Sequence, residues 1–245
     1  MLKIISRENP VPLYYQLKEL IQEMIENDIY KPGEIIPPER ELCKKYGISR
    51  MTARRAVMAL VNEGVLFREQ GKGTFVSKPK KKHNIFQLKG FTEQMEEKGL
   101  KTSTKELLFE IKKATKKIKN ALELTDDDDK VIEIKRLRIL ENEPFLIETV
   151  YIPLNLCPDL TLDMLANKSL YQLFKDKYNF VLDYAKQAIE PIKVNEYESE
   201  LLNLDNEAIE LLFTGITYLD SGKPIEYVKA IYRSDKYKYE VVLKA

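Results

Sequence analysis

Arg50, Arg54 and Arg55 stand close together in "ISRMTARRAVMALVNEG", with Thr52 between the first two. Arginine grips guanine O6 and N7 through two hydrogen bonds, at about 1–3 kcal/mol of discrimination per good pair. The chemistry open to this cluster is therefore recognition of a duplex rather than bond making. The neighbouring residues decide which way the arginines point. Ala53, Ala56, Val57 and Leu60 fall at i, i+3, i+4 and i+7, a single buried stripe on a helix. With that stripe inward, Arg50 and Arg54 project together from the opposite side, four residues apart. Thr52 and Arg55 flank them. The competing reading is an ordinary solvated helix face.

Other elements must hold this helix in place. Pro38 suits the first turn of a short helix, "ERELCKKY", with Arg40 near its start, and Gly47 is placed as its left-handed C-cap. Ser49 then becomes the N-cap of the arginine helix. Two helices joined by so short a turn form the core of helix-turn-helix recognition. In that arrangement the second helix enters the major groove with its N-terminal residues nearest the bases, and Arg40 can reach a phosphate or the groove edge. An earlier helix carries Leu13, Leu17, Leu20, Ile21, Met24 and Ile25 at helical spacing and ends at Pro32-Gly33. After Gly64, "VLFRE" and "GTFVS" read as a hairpin around "QGKG". Gly71 and Gly73 let that backbone approach a phosphate or the minor groove, while Gln70 and Lys72 offer a donor and a charge.

Charge is divided along the chain. Residues 1–82 hold 16 Lys and Arg against 10 Asp and Glu, a net +6, whereas residues 83–245 hold 24 against 29, a net −5. A basic first third joined to an acidic remainder implies two domains with different partners. Cap register, glycine hairpin and local charge agree on DNA binding. No run of 18 apolar residues exists, so no membrane span is expected. The first residues lack a secretion signal. Two distant cysteines, Cys43 and Cys157, fit a reducing cytoplasm, with Cys43 read as a small packing residue. The stretch 78–84, "KPKKKHN", is cationic and aperiodic and reads as an interdomain linker. The expected organisation is a DNA-binding domain over 1–77, that linker, and a second domain over 85–245.

The second domain mixes element types. Helices are expected at "FTEQMEEKG", "KKIKNALEL", "SLYQLFKDKY" and "NEYESELLNL". Strands are expected at "KELLFEIKKA", "KVIEIKRLRIL", "PFLIETVYIP", "FVLDYAKQAIEPI", "AIELLFTGITYL", "PIEYVKAIYR" and "YKYEVVLKA". Short turns such as "ENEP" and "DSGK" imply an antiparallel sheet with helices on one side, an α+β domain, and no internal repeat is visible. Arg136 and Arg138 lie two apart on a strand and share a face. So do Glu226, Val228, Ala230 and Tyr232. Paired arginines near a helix N-terminus make an anion pocket; the alternative is a wet sheet face with the arginines paired to Glu133 or Glu148. "TDDDDK" at 125–130 reads as a solvated turn rather than a metal site, since consecutive side chains diverge.

The segment "PERELCKKYGISRMTARRAVMALVNEGVLFREQGKGTFV" resembles the winged helix-turn-helix of the GntR superfamily of bacterial transcription regulators. The resemblance implies operator contacts from Arg40, Arg50, Thr52, Arg54 and Gly71. Pro38 departs from the family's usual serine or alanine, and Arg55 from a frequent glutamine; Arg55 adds a phosphate contact or shifts base preference. Residues 85–245 resemble the UTRA effector domain of the HutC subfamily, similar in fold to chorismate lyase, through "GFTEQMEEKG", "IKRLRILENEPFLIETVYIP", "SLYQLF" and "GKPIEYVKAIYRSDKY". The pattern is most like regulators of N-acetylglucosamine use, whose effectors are amino-sugar phosphates. That implies a phosphate held by Phe91, Thr92, Arg136, Arg138, Ser169 and Tyr171, and a sugar held by Glu148, Glu226 and Tyr232. Gly90 stands where close relatives have a hydroxyl residue.

The expected molecule is a cytoplasmic, homodimeric, ligand-responsive repressor that binds double-stranded operator DNA and a small effector, with no cofactor and no metal. The competing class is an enzyme built on the chorismate-lyase-like domain. His83 is the only histidine and falls in the linker, and no Ser-His-Asp set is available. An aminotransferase fusion needs a far longer chain. A third class, an architectural DNA protein, leaves the large second domain without a purpose.

Overall fold

Helices α1 (Leu13–Glu26), α2 (Glu39–Tyr46) and α3 (Arg50–Asn62) carry the first of the two units into which the chain divides, Met1–Lys81 and Lys82–Ala245. The computed structural model describes residues 5–78, 81–84, 88–165, 168–205 and 207–240. The apolar stripe of α3 is dry: Ala53, Ala56 and Leu60 are 0 % exposed and Val57 is 1 %. It packs with Leu17 and Ile21 of α1, Leu42 of α2, and Ile36 and Ile48. Two alanines at the contact let the helices approach closely, and each larger side chain contributes about 1.5–3 kcal/mol on burial.

Gly47 closes α2 at φ 63°, the left-handed conformation a glycine adopts without steric cost. Two residues on, Ser49 caps α3, its Oγ accepting from Thr52 N at 3.1 Å. Strands β1 (Leu66–Glu69) and β2 (Gly73–Val76) pair antiparallel, Leu66 opposite Val76 and Glu69 opposite Gly73. The segment before α2 joins this hairpin: Ile36 N donates to Thr74 O and Val76 N to Glu34 O, both at 2.9 Å. An Arg68–Glu39 ion pair ties the hairpin to the start of α2.

The second unit is ordered by strand pairing. β4 (Thr102–Lys113), β5 (Lys130–Leu140), β6 (Glu143–Pro153), β7 (Leu182–Lys193), β8 (Ile209–Leu219) and β9 (Pro224–Tyr232) form one antiparallel sheet in the order β4-β5-β6-β9-β8-β7. Helix α5 (Lys116–Ala121) links β4 to β5, and α8 (Glu196–Leu202) links β7 to β8. The topology is therefore a strand-helix-strand-strand unit used twice, meeting at β6 and β9. Sequence reading found no repeat because the two copies share order rather than residues. The β5–β6 turn uses Glu141 and Asn142, both at positive φ (52° and 65°), as a two-residue hairpin whose twist matches its strands requires. Thr115 caps α5, and Asn195 caps α8 in a reciprocal box with Glu198.

Helices cover both faces of the sheet, not one. On one face α4 (Phe91–Glu96), α6 (Leu162–Leu165) and α7 (Leu170–Asp176) pack over Ile132, Ile134, Leu146, Val150 and Phe213. On the other, Ile118 of α5 meets Val131, Tyr151 and Tyr227, and Leu202 of α8 meets Leu137, Ile147 and Ile231. Strand parity sorts these residues without exception in β5 and β6, since successive side chains face opposite ways. The four-residue α6 went unread because it spans barely one turn. The last expected strand begins as β10 (Tyr237–Glu240), but it pairs with β3 (Lys81–Asn84) in a separate two-stranded sheet; residues 241–245 lie outside the described residues. Within the stretch read as a linker, 79 and 80 lie outside them too, and 81–84 are extended as β3. Among the described residues no helix is long and apolar enough to cross a membrane.

Candidate functional site

On the first unit, Arg40, Arg50, Arg54 and Arg55 are exposed, as are Gln70, Gly71 and Lys72 at the hairpin tip. Arg50 is the first residue of α3, and Arg54 follows one turn later on the side away from the buried stripe. Ser49 and Thr52 are bound to each other, hydroxyl to hydroxyl at 2.8 Å, so their oxygens are occupied in starting the helix. Arg55 is engaged differently from its neighbours: its guanidinium lies over the Tyr14 ring of α1, 3.9 Å from the centroid. Lys72 pairs with Glu69 at 2.9 Å, and Gly71 turns the tip at φ 76°. Arg68, not anticipated, braces the tip through Glu39.

On the second unit, three adjacent rows of the sheet turn polar between two apolar clusters. In the central row Arg136 of β5 lies opposite Glu148 of β6, which lies opposite Ala230 of β9, then Phe213 of β8. The row on one side brings Arg138 beside Leu146 and Tyr232; that on the other brings Val228 beside Gly215, and Gly215 beside Gln187 of β7. Above these rows is a cavity of about 120 Å³, room for about four waters at their liquid volume. Phe91, Arg136, Arg138, Glu148, Ser169, Tyr171, Glu226 and Tyr232 all line it. Thr92 sits one shell out and accepts from Arg138 Nη2 at 2.5 Å. The expected residues, spread over 142 positions from Phe91 to Tyr232, thus converge on one place.

Both arginines are inside the protein, Arg136 at 4 % and Arg138 at 2 % exposure. This removes the wet-face alternative. Glu133 turns to the opposite face, where it accepts from Tyr151 OH at 2.9 Å and pairs with Lys112. Glu148 is the carboxylate that both guanidiniums share: Arg136 Nη2 is 2.8 Å from its Oε1 and Arg138 Nη1 is 3.6 Å away. Neither contact is aligned as a hydrogen bond. Arg136 Nε and Nη1, Arg138 Nε and Glu148 Oε1 are buried with no hydrogen-bond partner among the described residues. Each such group costs about 1–3 kcal/mol, more where charged. Burial lowers the Arg138 pKa, an effect opposed by Glu148 and reinforced by Arg136.

The other end of the cavity is built around Glu226. Tyr171 OH and Thr217 Oγ1 both donate to Glu226 Oε2, at 2.8 and 2.9 Å. Burial pushes the Glu226 carboxyl upward, against the pull of those two hydrogen bonds, and raises Tyr171 well above the ordinary phenol range. Sequence reading missed Gln94, Gln187 and Phe213 in the lining. Phe213 was within reach, since the alternation of β8 puts it opposite Ala230. Gln187 had no signal of its own: it is visible only because Gly215 beside it has no side chain.

Gly90 belongs to the geometry rather than to a missing contact. A Cβ there would stand 2.3 Å from Ser169 Oγ, so the Ser169 hydroxyl occupies the space a side chain at 90 would need. Ser169 also caps α7, accepting from Gln172 N at 3.4 Å. Gly90→Ala is expected to turn that hydroxyl away, lose about 1 kcal/mol of cap energy and weaken effector response. Thermal melting with and without ligand measures both; an unchanged melt and response would mean the hydroxyl has another place to go.

A winged helix-turn-helix joined to a domain with an internal charged cavity defines a ligand-responsive transcription regulator. The sequence model for bacterial regulatory proteins of the gntR family matches residues 13–76, and that for the UTRA domain matches residues 97–238. The chain belongs to the GntR family, in the HutC-type branch that carries a UTRA domain. It is 34 % identical over 236 residues, 96 % of each chain, to the HTH-type transcriptional repressor NagR of Bacillus subtilis (strain 168). It is 33 % identical over 231 residues to the mannosyl-D-glycerate transport/metabolism system repressor MngR of Escherichia coli (strain K12), covering 94 % of this chain and 95 % of that one. The crystal structure of PhnF from Mycobacterium smegmatis has the same fold, with a TM-score of 0.63 at 22 % identity over 93 % of this chain and 99 % of that one.

Proposed function

We propose that this chain is a repressor that binds operator DNA as a homodimer through α3 and the wing, and that the cavity of the second unit senses a sugar-derived anion, in the first place an amino-sugar phosphate. The observation that carries the effector reading is the buried Arg136–Arg138 pair. Two guanidiniums share one carboxylate and leave three donor nitrogens unpartnered among the described residues. A tetrahedral oxyanion supplies acceptors for all of them, and guanidinium geometry suits it. Glu148, Tyr171, Glu226 and Tyr232 then face the remainder of the ligand, where hydroxyl or amino groups find acceptors and donors. At about 120 Å³ the cavity has no room for a polymer, and it must widen to take a whole sugar phosphate. The family resemblance favours glucosamine 6-phosphate, and the names of relatives, mannosyl-D-glycerate among them, favour sugar derivatives more broadly.

Arg50 and Arg54 read bases, Arg40, Lys72 and Gln70 meet phosphates, and Gly71 brings the wing backbone near. Two heads read half-sites about 10 bp apart or a multiple. Effector and operator are linked by a coupling of about 1–3 kcal/mol, passed through the stretch around 78–84. The enzyme alternative asks Glu148 and Glu226 for acid–base work. Their partners favour binding instead: Glu148 is held by guanidiniums, and Glu226 takes two hydrogen bonds on one oxygen.

The test is a footprint and a thermal melt with glucosamine 6-phosphate, glucose 6-phosphate, inorganic phosphate and glucosamine. Stabilisation by the phosphorylated sugars, with a changed footprint and no product, is the expected result. Turnover would favour the enzyme, and no response to any of the four would remove the anion reading.

A further inference from the structure

The N-terminal arm ahead of α1 is held in place by more contacts than a loose end needs. Gln16, only 7 % exposed, clamps it: its side-chain amide accepts from Ser6 N at 2.9 Å and donates to Ser6 O at 3.0 Å and Val11 O at 2.6 Å. The clamp aims Arg7 at one spot. Arg7 Nη2 donates to Gly47 O at 3.2 Å, the left-handed residue in the turn between α2 and α3. That carbonyl is three residues from Arg50, the first residue of α3. The root of the arm lies on the same side: Leu13 and Tyr14 of α1 share a groove with Met51, Thr52, Arg54 and Arg55 of α3.

From this juxtaposition we infer that the arm is a second DNA-contacting element, with the Arg7 guanidinium laid on a phosphate beside the base pairs that α3 reads. The inference rests on the reading of the first unit as a DNA-binding head. Arginine has five N–H donors. One goes to Gly47 O, and among the described residues no carboxylate pairs with the rest. The side chain is exposed and pre-positioned by a backbone carbonyl, so little further ordering is needed when a phosphate arrives. Phosphate rather than a base edge is the partner because Arg7 is pinned at the turn, outside the helix that enters the groove, and phosphate contacts set register from such flanking positions.

The experiment measures binding of the full chain by fluorescence anisotropy across a salt series. Two duplexes serve as probes, one selected by the wild-type chain from a randomised pool and one of shuffled sequence. Arg7→Ala is expected to weaken both by the same factor, about eightfold at 0.1 M salt for each head on the duplex, and to lower the slope of log K against log salt by about one for each head. Arg7→Lys should keep the slope. Gln16→Ala should weaken both duplexes by freeing the arm, and the double variant should lose no more than Arg7→Ala alone. An unchanged slope in Arg7→Ala overturns the inference while leaving the DNA-binding head intact, and so does a loss confined to the selected duplex. A wild-type chain that selects no duplex from the pool and does not bind the shuffled one overturns the head, and this inference with it.

Discussion

Arg136→Ala abolishes the effector response and leaves operator affinity unchanged: that is the expected result if the cavity is the sensor. Arg136 is buried on β5, with Glu148 as its one ion-pair partner among the described residues and Nε and Nη1 left over. A ligand oxyanion that pairs with those nitrogens forms charge-assisted hydrogen bonds away from water. Truncating one partner of a buried charged pair costs about 2–5 kcal/mol, so affinity should fall roughly 30- to 4,000-fold. The unliganded protein should suffer much less. Arg136 sits beside Arg138, and two buried like charges oppose each other, so a neutral side chain of similar length removes a penalty as well as a partner. Arg136→Met is therefore expected to melt near the wild-type temperature while losing the shift induced by glucosamine 6-phosphate. A retained shift would move the anion elsewhere. A collapsed melt in both variants would make the arginine a fold element rather than a ligand contact. Arg138 is the poorer choice for this test, because it also holds Thr92 and lies 4.7 Å from the Phe91 ring, so its loss disturbs α4.

The two sites were legible to different depths. The proposed DNA face is written in a helical period: four apolar positions in α3 point one way, so the arginines between them must point the other, and one helix suffices to see it. What could not be seen was Arg55. Its register puts it outward, but its resting place over Tyr14 depends on how α1 crosses α3, which no local pattern states. The cavity is harder. Alternation puts Arg136 and Arg138 on one face of β5, yet it does not say whether that face is wet. A sheet with one solvated face and a sheet covered on both sides carry the same alternation. The difference lies in α4, α6 and α7 closing over the arginine face while α5 and α8 close the other; all but α6 were legible as helices, but not the face each would cover. The convergence of Ser169, Tyr171 and Glu226 on the arginines came from family resemblance, since their spacing in the chain records only the fold's long connections. The doubled topology went unread for a related reason. Pro144 and Pro224 each lie within the first two residues of the strand after a turn, but one shared proline is too little to register as a repeat.

Arg50→Ala and Arg54→Ala are each expected to weaken operator binding by about 1–3 kcal/mol, a factor of roughly 5 to 150, and to relax preference at one base pair apiece. The stability of the head should be untouched. Both side chains are exposed, and the helix is held by Ala53, Ala56, Val57 and Leu60 on its reverse and by the Ser49 cap. Binding to shuffled DNA should weaken much less than binding to the operator, which separates base reading from phosphate contact. Selection from a randomised pool with each variant would identify the base pair that has become degenerate. If shuffled and operator duplexes weaken alike, the arginines touch only phosphates and sequence reading lies elsewhere on α3 or in the wing. Lysine at either position is the sharper probe. It keeps the charge but loses the two-pronged fork that matches guanine O6 and N7. Arg54→Lys should therefore hold the salt dependence of wild type and still lose discrimination, an outcome that a purely electrostatic role for the helix does not produce.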